Sequence, residues 1–538
     1  MSCCSIFEFA SWCEADNWTP AVQKALSAGI DGLFFPAGEY HFYASGCDKR
    51  YCFFTNNDEG LKNLIFNVEN RGNFAVTGDN ARFIFHDRVV PFRFAGVNDL
   101  ELGGFSVDFF LSPVIEAEVA AVEEEFITLR LPEERPYWII DGKVCFINDE
   151  YKFMLKRSVF NIFDRQKGEI SAGKSFGVLG FEGSEIAPHL LRMRCFRDGG
   201  VQCGDTVVFK PEPRLTPGIV LDGCSRVSVD KLTLYCAGGM GIVAQNSFDI
   251  TLNEVNIGVA PGSSRVISVA DDAVHFANCG GRIVLEKCRF ERQLDDAVNI
   301  HGLYRSYFYL DGHFFKAEHY QQFGVDFIRA GEILEIAGEQ LKVREVHDGK
   351  QYCEVIFEKE VPPFPRHTAA LNFSRQPDVQ ISNCVFRNSK PRGVLVSSGG
   401  KVVIENNEFH TPGGAVFIAG DANFWFEAGP VRDVLIRNNF FDNCLYQGGS
   451  SSTRAVIDLN PEVPETAGKS CFHRNVRICD NLFRDNHGCM VRARSTDDLV
   501  ITGNRWEFDA SYSSRSAGEH FVFEECGKVT VENNTVTR

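Results

Sequence analysis

The chain has 538 residues, a formal charge of −17 at neutral pH and 19 cysteines. That length can bury one large core or several, the negative charge argues against nucleic acid and anionic membranes as partners, and no apolar run of about 18 residues offers a transmembrane helix. The start, Met1-Ser-Cys-Cys-Ser-Ile-Phe-Glu-Phe-Ala10, lacks the basic and apolar stretches of an export signal, and the odd cysteine count favours reduced thiols, so a cytoplasmic protein is expected, or a secreted one if a leader was trimmed.

The first segment reads as a cap. Asp16 to Gly29 has Pro20 near its first turn and Gly29 at its stop, which predicts one short helix. Gly32 to Phe42 then reads as strand, tight turn, strand. A helix there would cover the open apolar end of a solenoid. The cap and first coils span 1–111.

Two stretches, 112–217 and 303–373, carry alternating strands such as Gly204-Asp-Thr-Val-Val-Phe209 and Leu341-Lys-Val-Arg-Glu-Val346. They are expected to be β-barrel-like modules inserted into the coil loops. Coils occupy 218–302 and 374–538.

Those coils are marked by a repeat. It reads Asp378-Val-Gln-Ile-Ser-Asn-Cys-Val-Phe386, Lys401-Val-Val-Ile-Glu-Asn-Asn-Glu-Phe409 and Asp433-Val-Leu-Ile-Arg-Asn-Asn-Phe-Phe441, and it returns near Asn481, Asn504 and Asn534. From Cys384 through these Asn positions the steps are 23, 32, 42, 23 and 30 residues. The short steps define one turn and the long ones carry loops. Alternating apolar residues predict strands. The Asn at each bend tolerates a left-handed backbone, and repeated Asn-Asn pairs predict an internal Asn ladder. No helix fits between copies, which excludes leucine-rich, ankyrin and tetratricopeptide arrays, and the short steps argue against a propeller. The expected fold is all-β: a right-handed, pectate-lyase-like parallel β-helix.

Within the coils one string occurs twice, as Asp271-Asp-Ala-Val-His275 and Asp295-Asp-Ala-Val-Asn299, with starts 24 residues apart. One coil rises about 4.8 Å above the next, so Asp272 should stack on Asp296 and Asp271 on Asp295. Adjacent strand residues face opposite ways and a buried unpaired carboxylate is costly, so a bend is expected at least at Asp295-Asp296. Crowded carboxylates cannot all ionise freely. One stays an acid while others act as base, which is what glycoside cleavage needs. A stacked Asp ladder that caps turns or binds calcium is the alternative.

Asp295-Asp296, with an Asp one coil earlier, resembles the catalytic arrangement of the polygalacturonase clan. The longer Leu294-Asp-Asp-Ala-Val-Asn-Ile-His-Gly302 is similar to glycoside hydrolase family 110, the α-1,3-galactosidases, as are Ile418-Ala-Gly-Asp-Ala-Asn-Phe-Trp-Phe-Glu-Ala-Gly429 and two inserted barrels. The polygalacturonase Gly-His-Gly and Arg-Ile-Lys signatures are absent, which counts against pectin. The resemblance implies an exo-acting, inverting α-1,3-galactosidase with Asp272, Asp295 and Asp296 as catalytic residues, Asp295 as acid and the other two around the water. It implies blood group B type or linear α-1,3-galactosyl glycans as substrate, and a homodimer. Inversion implies roughly 6.5–9.5 Å between acid and base carboxyls.

Candidate substrate-binding residues are Asn299, His301 and His275 beside the Asp pairs. Asp421, Asn423, Trp425 and Glu427 alternate along a strand-like stretch, so they are expected on one face, with the Trp as a platform for the galactose ring. Arg392 in Lys390-Pro-Arg-Gly393 could reach the site, but it reads more readily as a surface charge. No spacing justifies a metal site or a cofactor. Two other functions stay open: a non-catalytic carbohydrate-binding β-helix, and a lyase or epimerase acting on uronic acids. The second would need basic groups beside the Asp pairs, which are few there.

Overall fold

The computed structural model describes residues 3–57, 59–148, 151–153, 161–171, 174, 176–197, 200–209, 214, 216–318, 327–349, 352–365, 368–447, 453–463, 470–508, 512 and 519–537. The chain is a parallel β-helix capped at its N-terminal end. Strands of successive coils pair in parallel and in register, as in Val379↔Val402 and Val402↔Val434. The cap helix spans Thr19–Ser27, and Ala21, Val22 and Ala25 are buried on its inner side. Gly29, at φ +75, ends it in the conformation that glycine adopts without strain. The strands Gly32–Phe35 and Glu39–Phe42 do not pair with each other. Both lie parallel to Phe74–Phe85 as part of the first coil.

Two ladders hold the C-terminal coils in register. Asn407, Asn439, Asn481, Asn504 and Asn534 each accept, through Oδ1, the backbone N–H of the equivalent residue one coil earlier at 2.8–3.0 Å. Asn407, Asn439, Asn481 and Asn504 are almost completely buried, so each rung satisfies polar groups that would otherwise be orphaned. The left-handed bend belongs to the residue before: Asn406 has φ +57 and Asn438 φ +54. The Asn-Asn pair thus divides two tasks, the first residue turning the chain and the second linking coils. Beneath runs an aromatic stack of Phe386, Phe409, Phe441, Phe483 and Trp506, with centroids 4.7–5.2 Å apart. Its spacing is that of the coils themselves.

The second inserted region closes on itself. Starting from the strand Val298–Asp311, antiparallel pairing runs through Phe314–Glu318, Tyr352–Phe357, Glu339–Asp348, Ile333–Ile336 and Ala369–Asn372 and back to Val298–Asp311. This is a six-stranded barrel with its own core, including Phe315, Leu334, Val343 and Val355. The first region, around Ile115–Val122, Phe126–Arg130 and Thr206–Phe209, is an antiparallel sheet with a separate core. Val298–Asp311 belongs to two structures. Its first four residues pair in parallel with the coils on both sides, and from Tyr304 onward it is a barrel strand. Between them, Gly302 and Leu303 pair antiparallel with Ala428 and Glu427. That crossing brings the 421–428 segment against the Asp-bearing coils.

Candidate active site

The two Asp-Asp-Ala-Val strings stack as their spacing requires. Val274 lies beside Val298 and His275 beside Asn299. Both Asp pairs sit just before these strands, where the chain bends and the alternation fails. The second pair is locked to the first by Asp296 N–H donating to Asp272 Oδ1 at 3.1 Å and Ala273 N–H donating to the Asp296 carbonyl at 2.9 Å. One oxygen each of Asp272, Asp295 and Asp296 lies within 4.8 Å of the others. Asp272 and Asp296 are buried, whereas the Asp295 side chain is 24% exposed and opens on a cavity of about 280 Å³.

Two arginines allow this crowding. Arg392 holds Asp296 through a two-pronged ion pair, Nε to Oδ1 at 2.8 Å and NH2 to Oδ2 at 2.9 Å, the strong planar form of such pairs. Arg214 bridges Asp295 and the neighbouring Asp271, with Nε 3.0 Å from Asp271 Oδ1 and NH2 3.3 Å from Asp295 Oδ2. Arg392 is therefore no surface charge; its side chain is 17% exposed and lines the cavity. It follows from the register: Val298 pairs with Val394, so Asp272, Asp296 and Arg392 occupy one position in three successive coils. Burial, then the charge of Asp295, pushes the Asp272 carboxyl well above the ordinary range. Burial does the same to Asp296, against the pull of Arg392. The bidentate geometry favours Asp296 as the ionised member, since Asp272 faces an imidazole rather than a guanidinium.

The remaining candidates divide into those at the cavity and those behind it. Asn299 lines the cavity, and its buried Oδ1 has no partner among the described residues. His275 and His301 do not line it. His275 Nδ1 lies 2.7 Å from Asp272 Oδ2, and His301 bonds the Gly302 carbonyl and His275. Both rings share the strand face of Asn299 but are fully buried behind the residues that line the cavity.

Residues 421–426 form a loop, and only Glu427–Ala428 is a short strand. Asp421 Oδ1 accepts the N–H groups of Asn423 and Phe424, and Oδ2 accepts that of Trp425. Its carboxylate curls the chain back so that Asp421 N–H meets the Glu427 carbonyl. The expected single face is therefore broken. Asn423 turns away and donates to the Glu462 carbonyl. Trp425 does line the cavity, edge-on to the exposed Phe424 at 4.9 Å. Glu427 also lines it and is buried. Burial alone would raise its carboxyl, but His301 and His275 bring it below the ordinary range.

Among the cavity residues that the sequence reading did not single out are Asn56, Arg214, Phe424 and Glu462. Asn56 comes from an N-terminal loop with φ +55, held by Arg214 NH1 donating to its carbonyl at 3.0 Å, and its own Oδ1 is buried without a partner among the described residues. Asn56 and Asn299 thus offer acceptors for sugar hydroxyls, and the two aromatic rings offer an apolar platform. The cavity suits one neutral sugar ring with three carboxylates at its base. Away from it, all nineteen cysteines are free, and no helix among the described residues is long and apolar enough to cross a membrane.

Comparison with known proteins supports the same assignment. Residues 369–538 match the family "Right handed beta helix region". Alpha-1,3-galactosidase A of Shewanella woodyi is 31% identical over 524 residues, covering 93% of this chain and 85% of its own. Alpha-1,3-galactosidase B of Bacteroides thetaiotaomicron is 31% identical over 549 residues, covering 97% and 88%. Alpha-1,3-galactosidase B of Phocaeicola vulgatus is 30% identical, covering 96% and 93%. Right-handed coil, carboxylate trio and full-length similarity converge: the chain belongs to the α-1,3-galactosidase family of glycosidases.

Proposed function

We propose that the protein removes terminal α-1,3-linked galactose from glycans by single displacement with inversion. The observation that carries this is the unequal placement of the three carboxylates. All three line the cavity, but Asp272 and Asp296 are buried and tied together, while Asp295 is the more exposed. An inner pair can grip one water, and the outer acid can protonate the leaving oxygen. In this reading water attacks the anomeric carbon, its proton passes to the inner pair, and the C–O bond breaks as Asp295 gives its proton to the aglycone oxygen. Trp425 and Phe424 carry the ring face, and Asn56, Asn299 and Glu427 meet its hydroxyls.

One observation favours a second reading. The trio is compact, with one oxygen of each carboxylate within 4.8 Å of the others, and retaining enzymes, which form a glycosyl-enzyme intermediate, bring their two carboxyl groups to roughly 5–5.5 Å. Proton NMR of the first-formed sugar from an α-1,3-galactosyl disaccharide separates the two. Inversion requires β-galactose first; initial α-galactose would establish retention, and no galactose at all would remove the substrate assignment. Linear and fucose-branched acceptors belong in the same assay.

A further inference from the structure

A line of hydrogen bonds runs behind the cavity. Asp272 Oδ2 lies 2.7 Å from His275 Nδ1, His275 Nε2 lies 3.0 Å from His301 Nε2, and His301 Nδ1 lies 2.6 Å from the Gly302 carbonyl. All three side chains are buried. Each contact needs one proton. The carbonyl oxygen only accepts, so His301 Nδ1 carries a proton. Two neutral imidazoles supply one N–H each, which leaves three contacts with two protons. The third must also reside in the line. It sits on Asp272 as a carboxylic acid, or on the histidine pair as an imidazolium beside an ionised Asp272. Without it, two lone pairs would face each other in a buried place, at the cost of an unmade hydrogen bond.

The surroundings bias where that proton goes. Glu427 Oε1 lies 3.7 Å from His301 Nε2, the nitrogen that also meets His275. Asp295 and Arg214 act on His275 with opposite charges. The adjoining coils put Val243 beside His275 and Ser397 beside His301, neither of them titratable at neutral pH. Burial, then His301, pushes His275 down to about 3, which favours a resting proton on Asp272. Glu427 is the group that can steady an imidazolium once it forms.

We propose that His275 and His301 are positioning residues that hold the Asp272 proton during turnover, so that Asp272 becomes a base without exchange with solvent. The proposal rests on the glycosidase reading above. In the step, the Asp272 O–H bond breaks and a His275 Nδ1–H bond forms. The His275 Nε2 proton passes to His301 Nε2, leaving Asp272 a carboxylate and His301 an imidazolium next to Glu427. Asp272 then accepts the proton of the attacking water as Asp295 protonates the leaving oxygen. Loss of one proton to solvent from the inner line and gain of one by Asp295 restore the start.

The test uses the full chain with ¹⁵N-labelled histidine and reads ring nitrogen shifts at neutral pH, with H275F and H301F to assign the signals. The line requires His275 as the neutral Nε2–H tautomer and His301 as Nδ1–H, or one of the pair as imidazolium. A neutral Nδ1–H His275 together with a neutral His301 would overturn it, whether or not any galactoside is cleaved. In kinetics on a nitrophenyl α-galactoside, H275F should lower kcat about 10²-fold with KM within about threefold. It should also move the acid limb of the profile to higher pH, because Asp272 loses the group that takes its proton. A uniform fall at every pH with the limb unmoved would show a merely structural role and overturn the proposal. If H275F does not fold, H301F should give the same shift, smaller, and the wild-type tautomers decide on their own. Wild-type inactivity on every α-galactoside would instead reject the substrate assignment and leave the tautomer result standing.

Discussion

The two Asp-Asp-Ala-Val strings are identical in sequence for four residues and opposite in circumstance. In the first, Asp271 is fully buried and held by Arg214, and Asp272 is turned onto His275. In the second, Asp295 opens on the cavity and Asp296 is clamped by Arg392. One coil of displacement changes which partner each carboxylate meets, because the register puts Met240 in the coil before Asp272 and Arg392 in the coil after Asp296. A motif on a solenoid therefore gains its chemistry from the rungs above and below it.

The comparison breaks most sharply at Asp295. Replacing it by Asn should lower kcat about 10²–10⁴-fold on a galactosyl disaccharide. The loss should be smaller on a nitrophenyl galactoside, whose leaving group needs little protonation. Equal losses on the two substrates would remove Asp295 as the acid.

Next comes Arg392. Removing one partner of a buried pair costs about 3–5 kcal/mol, so R392Q should lower the melting temperature. Asp296 would also lose its bidentate cation, so its pKa should rise and the acid limb of kcat/KM should move to higher pH. An unmoved limb would show that Asp296 does not limit the base.

Asp271→Asn sharpens the contrast in the other direction. It should retain activity within about tenfold while losing stability through the freed Arg214 charge. If it kills turnover in a folded protein while D295N does not, the roles of the two strings are reversed. W425A should raise KM roughly tenfold with kcat little changed, as loss of a binding platform does.

The smallest expected effect concerns a buried histidine outside the cavity. His410 lies 3.4 Å from Glu169 and 3.8 Å from Asp442. Burial would lower it, yet those carboxylates raise it to about 9, whereas His275 goes down to about 3. A folded pKa above the unfolded value of about 6.5 means the stabilisation is complete below pH 6.5 and fades as pH rises through 9. Melting temperature should fall over that window in the wild type and less in H410Q. Equal slopes would show that His410 is not the titrating group.

The solenoid was legible because its physics is local. Apolar alternation, Asn pairs at bends and a recurrent Phe each depend on residues a few positions apart, and stacking multiplied them into ladders. The Asp trio was legible for the same reason, as an echo one coil apart. Arg392 was not, since a 96-residue gap containing the barrel separates it from its partner. Aligning Arg392-Gly-Val394 with Asp296-Ala-Val298 across that gap would have exposed it. The 421–428 segment misled because alternating polar residues look like a strand, and only the three N–H groups gathered by Asp421 reveal a loop. Asn56 and Arg214 carry no local signal; they arrive from remote loops.

The shared strand Val298–Asp311 has a kinetic consequence. A continuous strand with paired backbone on both halves has no hinge, so the barrel cannot swing as a lid over the cavity. Among the cavity's other walls is the loop that carries Phe424 and Trp425. Turnover limited by product escape would respond to changes at that loop and to solvent viscosity, and stay indifferent to cross-links that fasten the barrel to the coils.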